Sequence, residues 1–264
     1  MLADFHMHTK YSYDAEPDSV EATCLSAIEK GLQVIALVDH KDFFRQKPSD
    51  PLDVAARQAD IRACQEKFQD QIEILCSVEI GQPFAAPQES ADFLRENDFD
   101  FIIGAVHAMP NDVDMYFLDY DHMDLDRFLQ DYFDEVDQMI QWGGYDTLAH
   151  LDYPLRVMKR ETNHPTFAGC MDRVDHVLKT LIRRDIALEI NTKGLFGWQK
   201  SPGPEDFVLR RYRELGGRLL TVGSDSHQAA KAGRGFEEGM AYAKSMGFDS
   251  VTGYRNHKPY EIAL

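Results

Sequence analysis

The chain has 264 residues, 44% of them hydrophobic, with 28 Lys and Arg against 45 Asp and Glu and a formal net charge of -17. That length and apolar content suffice for one α/β domain of barrel size. The acidic excess argues against a nucleic-acid surface, which needs clustered cations for counterion release.

The first element in chain order is Leu2-Ala-Asp-Phe-His-Met-His8, a short apolar run ending in two histidines one residue apart. Alternate side chains of a strand share a face, so His6 and His8 can address one metal ion. Asp14 follows; then Asp18, with Glu21 at capping-box spacing, predicts a helix start, and Gly31 predicts its end. The apolar run 34–38 leads into Asp39 and His40, and a helical pattern over 52–68 precedes the run 72–78 before Glu79. The Pro-containing stretch 83–88 reads as a loop, and the run 101–106 ends at His107. The long acidic stretch 109–121 reads as a lid. A helix over 124–142 is closed by Gly143-Gly144, and the run 147–149 ends at His150. Helices over 168–184 and 204–216 flank a strand at 186–190 and a loop at 202–204. The last strand, 219–222, precedes Asp225 and His227, and a helix over 235–246 stops at Gly247.

Seven strand candidates alternating with helices imply parallel strands with right-handed crossovers. An open sheet gathers ligands mainly at one switch point, whereas a barrel brings all its strand ends to a single mouth. Ligand-type residues follow nearly every strand, so a seven-stranded barrel is expected, as one domain over 1–264. Of 10 histidines, His6, His8, His40, His107, His150 and His227 sit at strand ends; His122, His164, His176 and His257 read as loop or helix residues without a metal role. Glu79 among histidines is what two adjacent cations need as a bridge. Arg156, six residues after His150 on a loop, and Lys193 are cations close in sequence to the ends of two strands. No apolar run nears the roughly 18 residues of a membrane span, the start lacks a secretion-signal pattern, and Cys24, Cys64, Cys76 and Cys170 form no C-x-x-C pair. A soluble cytoplasmic protein is expected.

Taken together, Asp4-Phe-His-Met-His8 through Ser12-Tyr-Asp14, Asp39-His40, Glu79-Ile-Gly81, Gly104-Ala-Val-His107, His150-Leu-Asp152 and Gly223-Ser-Asp-Ser-His227 resemble the successive motifs of the polymerase and histidinol phosphatase (PHP) superfamily. Glu189-Ile-Asn-Thr-Lys-Gly-Leu195 and the chain length resemble its histidinol-phosphate phosphatase branch. The resemblance implies a distorted (β/α)7 TIM-like barrel with three divalent metal ions of zinc, manganese or iron at its mouth. By position, His6, His8, Glu79 and Asp225 would hold one metal; Glu79, His107 and His150 a second; Asp14, His40 and His227 the third. The implied activity is hydrolysis of L-histidinol phosphate in histidine biosynthesis by a hydroxide shared between metals, with another small phosphate ester as the alternative substrate. Asp14, Asp39 or a metal-held water would supply the leaving-group proton, and Arg156 and Lys193 would grip the phosphate. The family pattern also implies an Arg after Gly194-Leu195, where this chain has Phe196. An amine and an imidazole on the substrate call for a carboxylate and an aromatic wall. Phe43, Phe44, Asp112, Asp114, Tyr116 and Trp198 are candidates. An amidohydrolase is the competing enzyme class, but it commonly uses a strand-end lysine, and only Lys41 beside His40 offers one here. A non-catalytic metal-binding module is the third class.

Overall fold

A strand flanked by helices on one side and by its own barrel interior on the other is buried on both faces, which is why the strands read as nearly continuous apolar runs. The computed structural model describes residues 1–158 and 165–264; His164 lies outside them. The strands are β1 (Ala3–Met7), β2 (Val34–Leu37), β3 (His40–Asp42), β4 (Glu73–Gly81), β5 (Phe101–Ala105), β6 (Thr147–Leu148), β7 (Ala187–Asn191) and β8 (Leu220–Gly223). They pair in parallel in the order β1-β2-β4-β5-β6-β7-β8, with β3 on the far half of β4, where His40 stands opposite Glu79. β8 returns to β1: the His8 N–H donates to the Ser226 carbonyl at 2.8 Å, and the Asp225 N–H to the His6 carbonyl at 2.8 Å. The seven-strand barrel is thereby nearly closed, as expected.

Helices α1 (Val20–Glu29), α2 (Val54–Phe68), α3 (Pro87–Glu96), α4 (Leu125–Trp142), α5 (Tyr153–Val157), α6 (Met171–Arg183), α7 (Asp206–Glu214) and α8 (Phe236–Ser245) follow the strands. α4 buries Phe128, Leu129, Tyr132, Phe133, Val136, Met139 and Ile140, an i, i+4, i+8 stripe that faces the core. Cutting one such ring, as in Phe133→Ala, costs about 3–5 kcal/mol. Met7, Ile35, Leu37, Ile61 and Phe68 form a second core under α1 and α2. An antiparallel hairpin, β9 (Ser250–Arg255) and β10 (Lys258–Ala263), ends the chain. It packs on the barrel through Tyr254, stacked on Phe101 at 5.1 Å, and through Thr252, whose hydroxyl accepts the Leu220 N–H at 3.1 Å.

Several local expectations give way to tertiary demands. Ser19, not Asp18, caps α1, its hydroxyl accepting the Ala22 N–H at 3.1 Å. The Asp18 carboxylate is spent across the chain on the Ala229 N–H at 2.7 Å. The stretch 83–88 is a turn of 3₁₀-helix followed by the start of α3, with Pro87 at the first helical position, where no N–H is needed. Arg156 sits on α5 rather than a loop. Among the described residues no helix is long and apolar enough to cross a membrane. The four cysteines are all free thiols.

Candidate metal centre

Every strand-end ligand candidate except Asp39 points into the mouth. His6 and His8, both buried, leave β1 with their Nε2 atoms 3.1 Å apart. Glu79, fully buried on β4, stands between two sets of imidazoles. Its Oε2 lies 3.4 Å from Nε2 of both His6 and His8 and 3.0 Å from His40 Nδ1. Its Oε1 lies 2.9 Å from His150 Nε2 and 3.3 Å from His107 Nε2. Asp14 faces His227 Nε2 at 3.0 Å and His40 Nε2 at 3.5 Å, and Asp225 Oδ1 lies 3.4 Å from His227 Nδ1. Among the described residues five metal-spaced triads result: His6, His8 and Glu79; His6, His150 and Asp225; Glu79, His107 and His150; His40, Asp42 and His107; His8, His40 and His227.

The hydrogen bonds behind the rings test whether cations fit. His6 Nδ1 meets Glu189 Oε1 at 2.6 Å, and His107 Nδ1 meets Asp42 Oδ2 at 2.8 Å. His8 Nδ1 meets the Ser12 hydroxyl at 2.9 Å, and that hydroxyl spends its own proton on Asp39 at 3.0 Å. Carboxylates accept only, so the Nδ1 atoms of His6 and His107 carry the protons, and the same follows for His8. The Nε2 lone pairs then converge on one another and on Glu79, whose Oε2 has no hydrogen-bond partner among the described residues. Facing lone pairs in a dry interior are repulsive until a cation or a proton fills them, and carboxylate-oriented imidazoles are the usual support of metal ligands. The donor set therefore fits divalent metals.

Without metals, protons take part of that role. Burial acts to lower the His6 and His107 pKa values, but the carboxylates of Glu189 and Glu79 at His6, and of Asp42 and Glu79 at His107, push both well above the usual imidazole range. Burial and the neighbouring charges of His227 and His40 drive His8 well below it. Burial opposes ionisation of Glu79, yet His6, His40 and His107 hold it well below the usual carboxylate range. For Asp225, Lys193, His6 and Arg156 likewise outweigh burial. Burial would raise Asp14 too, but His227 and His40 hold it ionised.

A cavity of about 510 Å³ opens above this floor, with Arg156 and Lys193 on one side and Tyr13, Asp114, Tyr116, Phe117, Tyr153 and Trp198 as walls. Arg156 donates from one terminal nitrogen to Asn191 Oδ1 at 2.8 Å and Asp225 Oδ2 at 3.0 Å. Lys193 Nζ meets Asp225 Oδ1 at 2.9 Å.

Other expected residues are placed elsewhere. Asp39 does not face the cavity: it accepts from the Thr9 N–H at 2.6 Å, the Thr9 and Ser12 hydroxyls, and Arg57 Nε at 2.6 Å. Arg57 is itself fully buried and donates to the Leu37 and Ser77 carbonyls, so the pair ties the break between β2 and β3 to β4, and Asp39 is turned to that brace and not to the cavity. Asp14 is at the floor, between His227 at 3.0 Å and His40 at 3.5 Å. Phe43 and Phe44 are core residues, and the Asp112 carboxylate is occupied by the Arg45 and Gln46 N–H groups at 2.9 and 2.6 Å. His122 and His176 face the exposed carboxylates of Asp119 and Asp137, and His257 faces the largely buried Asp146, none of them in the cluster. Glu189, Asp42, Asn191 and Tyr153 were not expected to have a place in the site, although Glu189 and Asn191 belong to the Glu189–Leu195 segment. Glu189 had a signal, a carboxylate in the middle of an apolar strand; Asp42 had one too, two residues after His40 on the same strand face. The backbone of β8 must also come close here: a Cβ on Gly223 would collide with the His6 side chain and Glu189.

Residues 4–193 match the family model described as the PHP domain. The chain is 29% identical over 252 residues to a "Probable histidinol-phosphatase" of Thermotoga maritima, covering 94% of each. It is 27% identical over 260 residues to a "Histidinol-phosphatase" of Lactococcus lactis, covering 97% of this chain and 95% of the relative. Among solved structures it is similar to the Lactococcus lactis histidinol phosphate phosphatase complexed with zinc, L-histidinol and phosphate, with a TM-score of 0.87 and 25% identity over 98% of both chains.

Proposed function

The chain belongs to the PHP domain family, and from that membership we infer a metal-dependent phosphomonoesterase that cleaves L-histidinol phosphate to L-histidinol and phosphate. The observation that carries the reading is one buried carboxylate, Glu79, with imidazole nitrogens within 3.4 Å of both its oxygens, directly beneath a cavity edged by two cations. We assign three divalent ions of zinc, manganese or iron: one to His6, His8, Glu79 and Asp225, one to Glu79, His107 and His150, one to Asp14, His40 and His227. When bound, such ions supply an activated water and neutralise the phosphoryl charge that otherwise repels a nucleophile.

The chain's own residues supply orientation and selection. Glu189 and Asp42 fix the ring planes of His6 and His107. Arg156 and Lys193 offer positive charge to the phosphate from the side of Asp225, and Arg156 can do so in a fixed plane. A substrate with a cationic amine and a flat imidazole suits the walls, where the Asp114 carboxylate is held by the Tyr153 hydroxyl at 2.8 Å beside Tyr13 and Trp198. Lys193 stands where a phosphate could still be gripped without an Arg at position 196. We place the enzyme in histidine biosynthesis and in the cytoplasm, as one barrel domain over 1–264.

The test is phosphate release by the purified, metal-reconstituted protein from L-histidinol phosphate and from a panel of sugar, nucleotide and amino-alcohol phosphates. A kcat/KM preference for L-histidinol phosphate of orders of magnitude is expected. Equal rates across the panel would replace it with a phosphatase of another small ester.

A further inference from the structure

Asn191 ends β7 at the boundary between the metal floor and the phosphate side, with 1% of its surface exposed. Its Oδ1 accepts from Arg156 at 2.8 Å and from the Lys193 N–H at 3.1 Å, while its Nδ2 donates to Glu189 Oε2 at 3.0 Å and Asp225 Oδ2 at 3.3 Å. The orientation of this amide is settled by its partners. Turned over, it would aim its NH₂ at a guanidinium and a backbone N–H, and its oxygen at two carboxylates.

We propose that Asn191 is the positioning residue of the phosphate clamp: its amide sets the Arg156 guanidinium against the metal-side carboxylates Asp225 and Glu189. An amide alone does both jobs in that space. Asp would accept from Arg156 but repel two buried carboxylates, and Leu would leave both sides unpaired. The same amide joins the two halves of the site in one chain of contacts, from His6 through Glu189 to Arg156. The role rests on the reading of Arg156 as a phosphate-gripping residue.

A double-mutant cycle separates the two ideas. Inhibition by inorganic phosphate and kcat/KM for L-histidinol phosphate would be measured for Asn191→Ala, Arg156→Ala and the double variant, with metal content and Tm as controls. Asn191→Ala should weaken phosphate inhibition about tenfold, the scale of one hydrogen bond to a charged group, with metal content retained. In the double variant it should add no more than about twofold to the Arg156→Ala loss, because residues acting through one another are non-additive. Losses that multiply, or an Asn191→Ala protein that binds phosphate as wild type does, would overturn the role. Wild-type behaviour of Arg156→Ala would instead remove the clamp itself. Should Asn191→Ala fail to fold, Asn191→Ser carries the same cycle, since it keeps an acceptor for the Lys193 N–H but does not reach Arg156.

Discussion

The floor and the rim of the cavity are built in opposite ways. On the floor, His6, His8, Glu79, His107 and His150 are all buried, and three of the four imidazoles are locked from behind by Glu189, Ser12 or Asp42. On the rim, Tyr13, Tyr116 and Phe117 are exposed, Phe117 by 74%. The contrast separates two tasks. Metal geometry tolerates little error and the floor has a layer of buried partners behind its rings, whereas the exposed side chains of the rim have room to adapt.

The largest effect should come from emptying the floor. Prolonged chelation should abolish phosphate release, and divalent metal should restore it; undiminished turnover in metal-free protein, checked by elemental analysis, would break the comparison. Next comes the border between floor and rim, where Arg156→Ala should lose about 2–4 kcal/mol of transition-state stabilisation, read from kcat/KM. Unchanged kinetics would return Arg156 to a purely structural pairing with Asp225. Behind the floor, Asp42→Asn keeps the shape around His107 but removes its carboxylate, and metal affinity should fall about 10–100-fold. Wild-type affinity in a chelator competition would show that the layer behind the rings carries no weight. At the rim, Phe117→Ala should leave metal content and Tm unchanged and alter KM by only a few-fold, since so exposed a ring buries little apolar area; loss of metal there would contradict the division.

The floor also has a pH signature. Burial acts to lower the His40 pKa, but Glu79 and Asp14 outweigh it and push it up to about 10. A raised value means that its charged form stabilises the metal-free fold fully below pH 6.5, and that this stabilisation is lost as pH rises toward 10. Metal binding needs the neutral ring, so binding near pH 7.5 should release protons and tighten as pH rises. Calorimetry in buffers of different ionisation heat reads this directly. Binding heats independent of buffer would contradict it.

The barrel and most of the clustered side chains of its floor were legible in the sequence because nearly all of these candidates follow an apolar run, Asp14 excepted, and His6-Met7-His8 shows strand alternation by itself. What escaped detection depends on distant partners. Nothing near Asp39 announces Arg57, 18 residues on, which turns a candidate acid into a buried strut. The hairpin after residue 249 and the short β3 lack the apolar runs that marked the other strands, and α3 was hidden by prolines that favour a helix start as readily as a loop. Arg156 was legible as a cation six residues after His150, but its partner Asn191 lies 35 residues on, marked only by its place in the Glu189–Leu195 segment and not by anything that pairs it with Arg156.

One carboxylate, Glu79, faces imidazoles on both sides of the floor, and its removal in Glu79→Ala should empty both. After identical metal reconstitution, metal content and phosphate release from L-histidinol phosphate would be measured beside the wild type, with circular dichroism to establish folding. A folded variant that loses bound metal and turnover together is the expected result. A folded variant with wild-type metal content and turnover would contradict it.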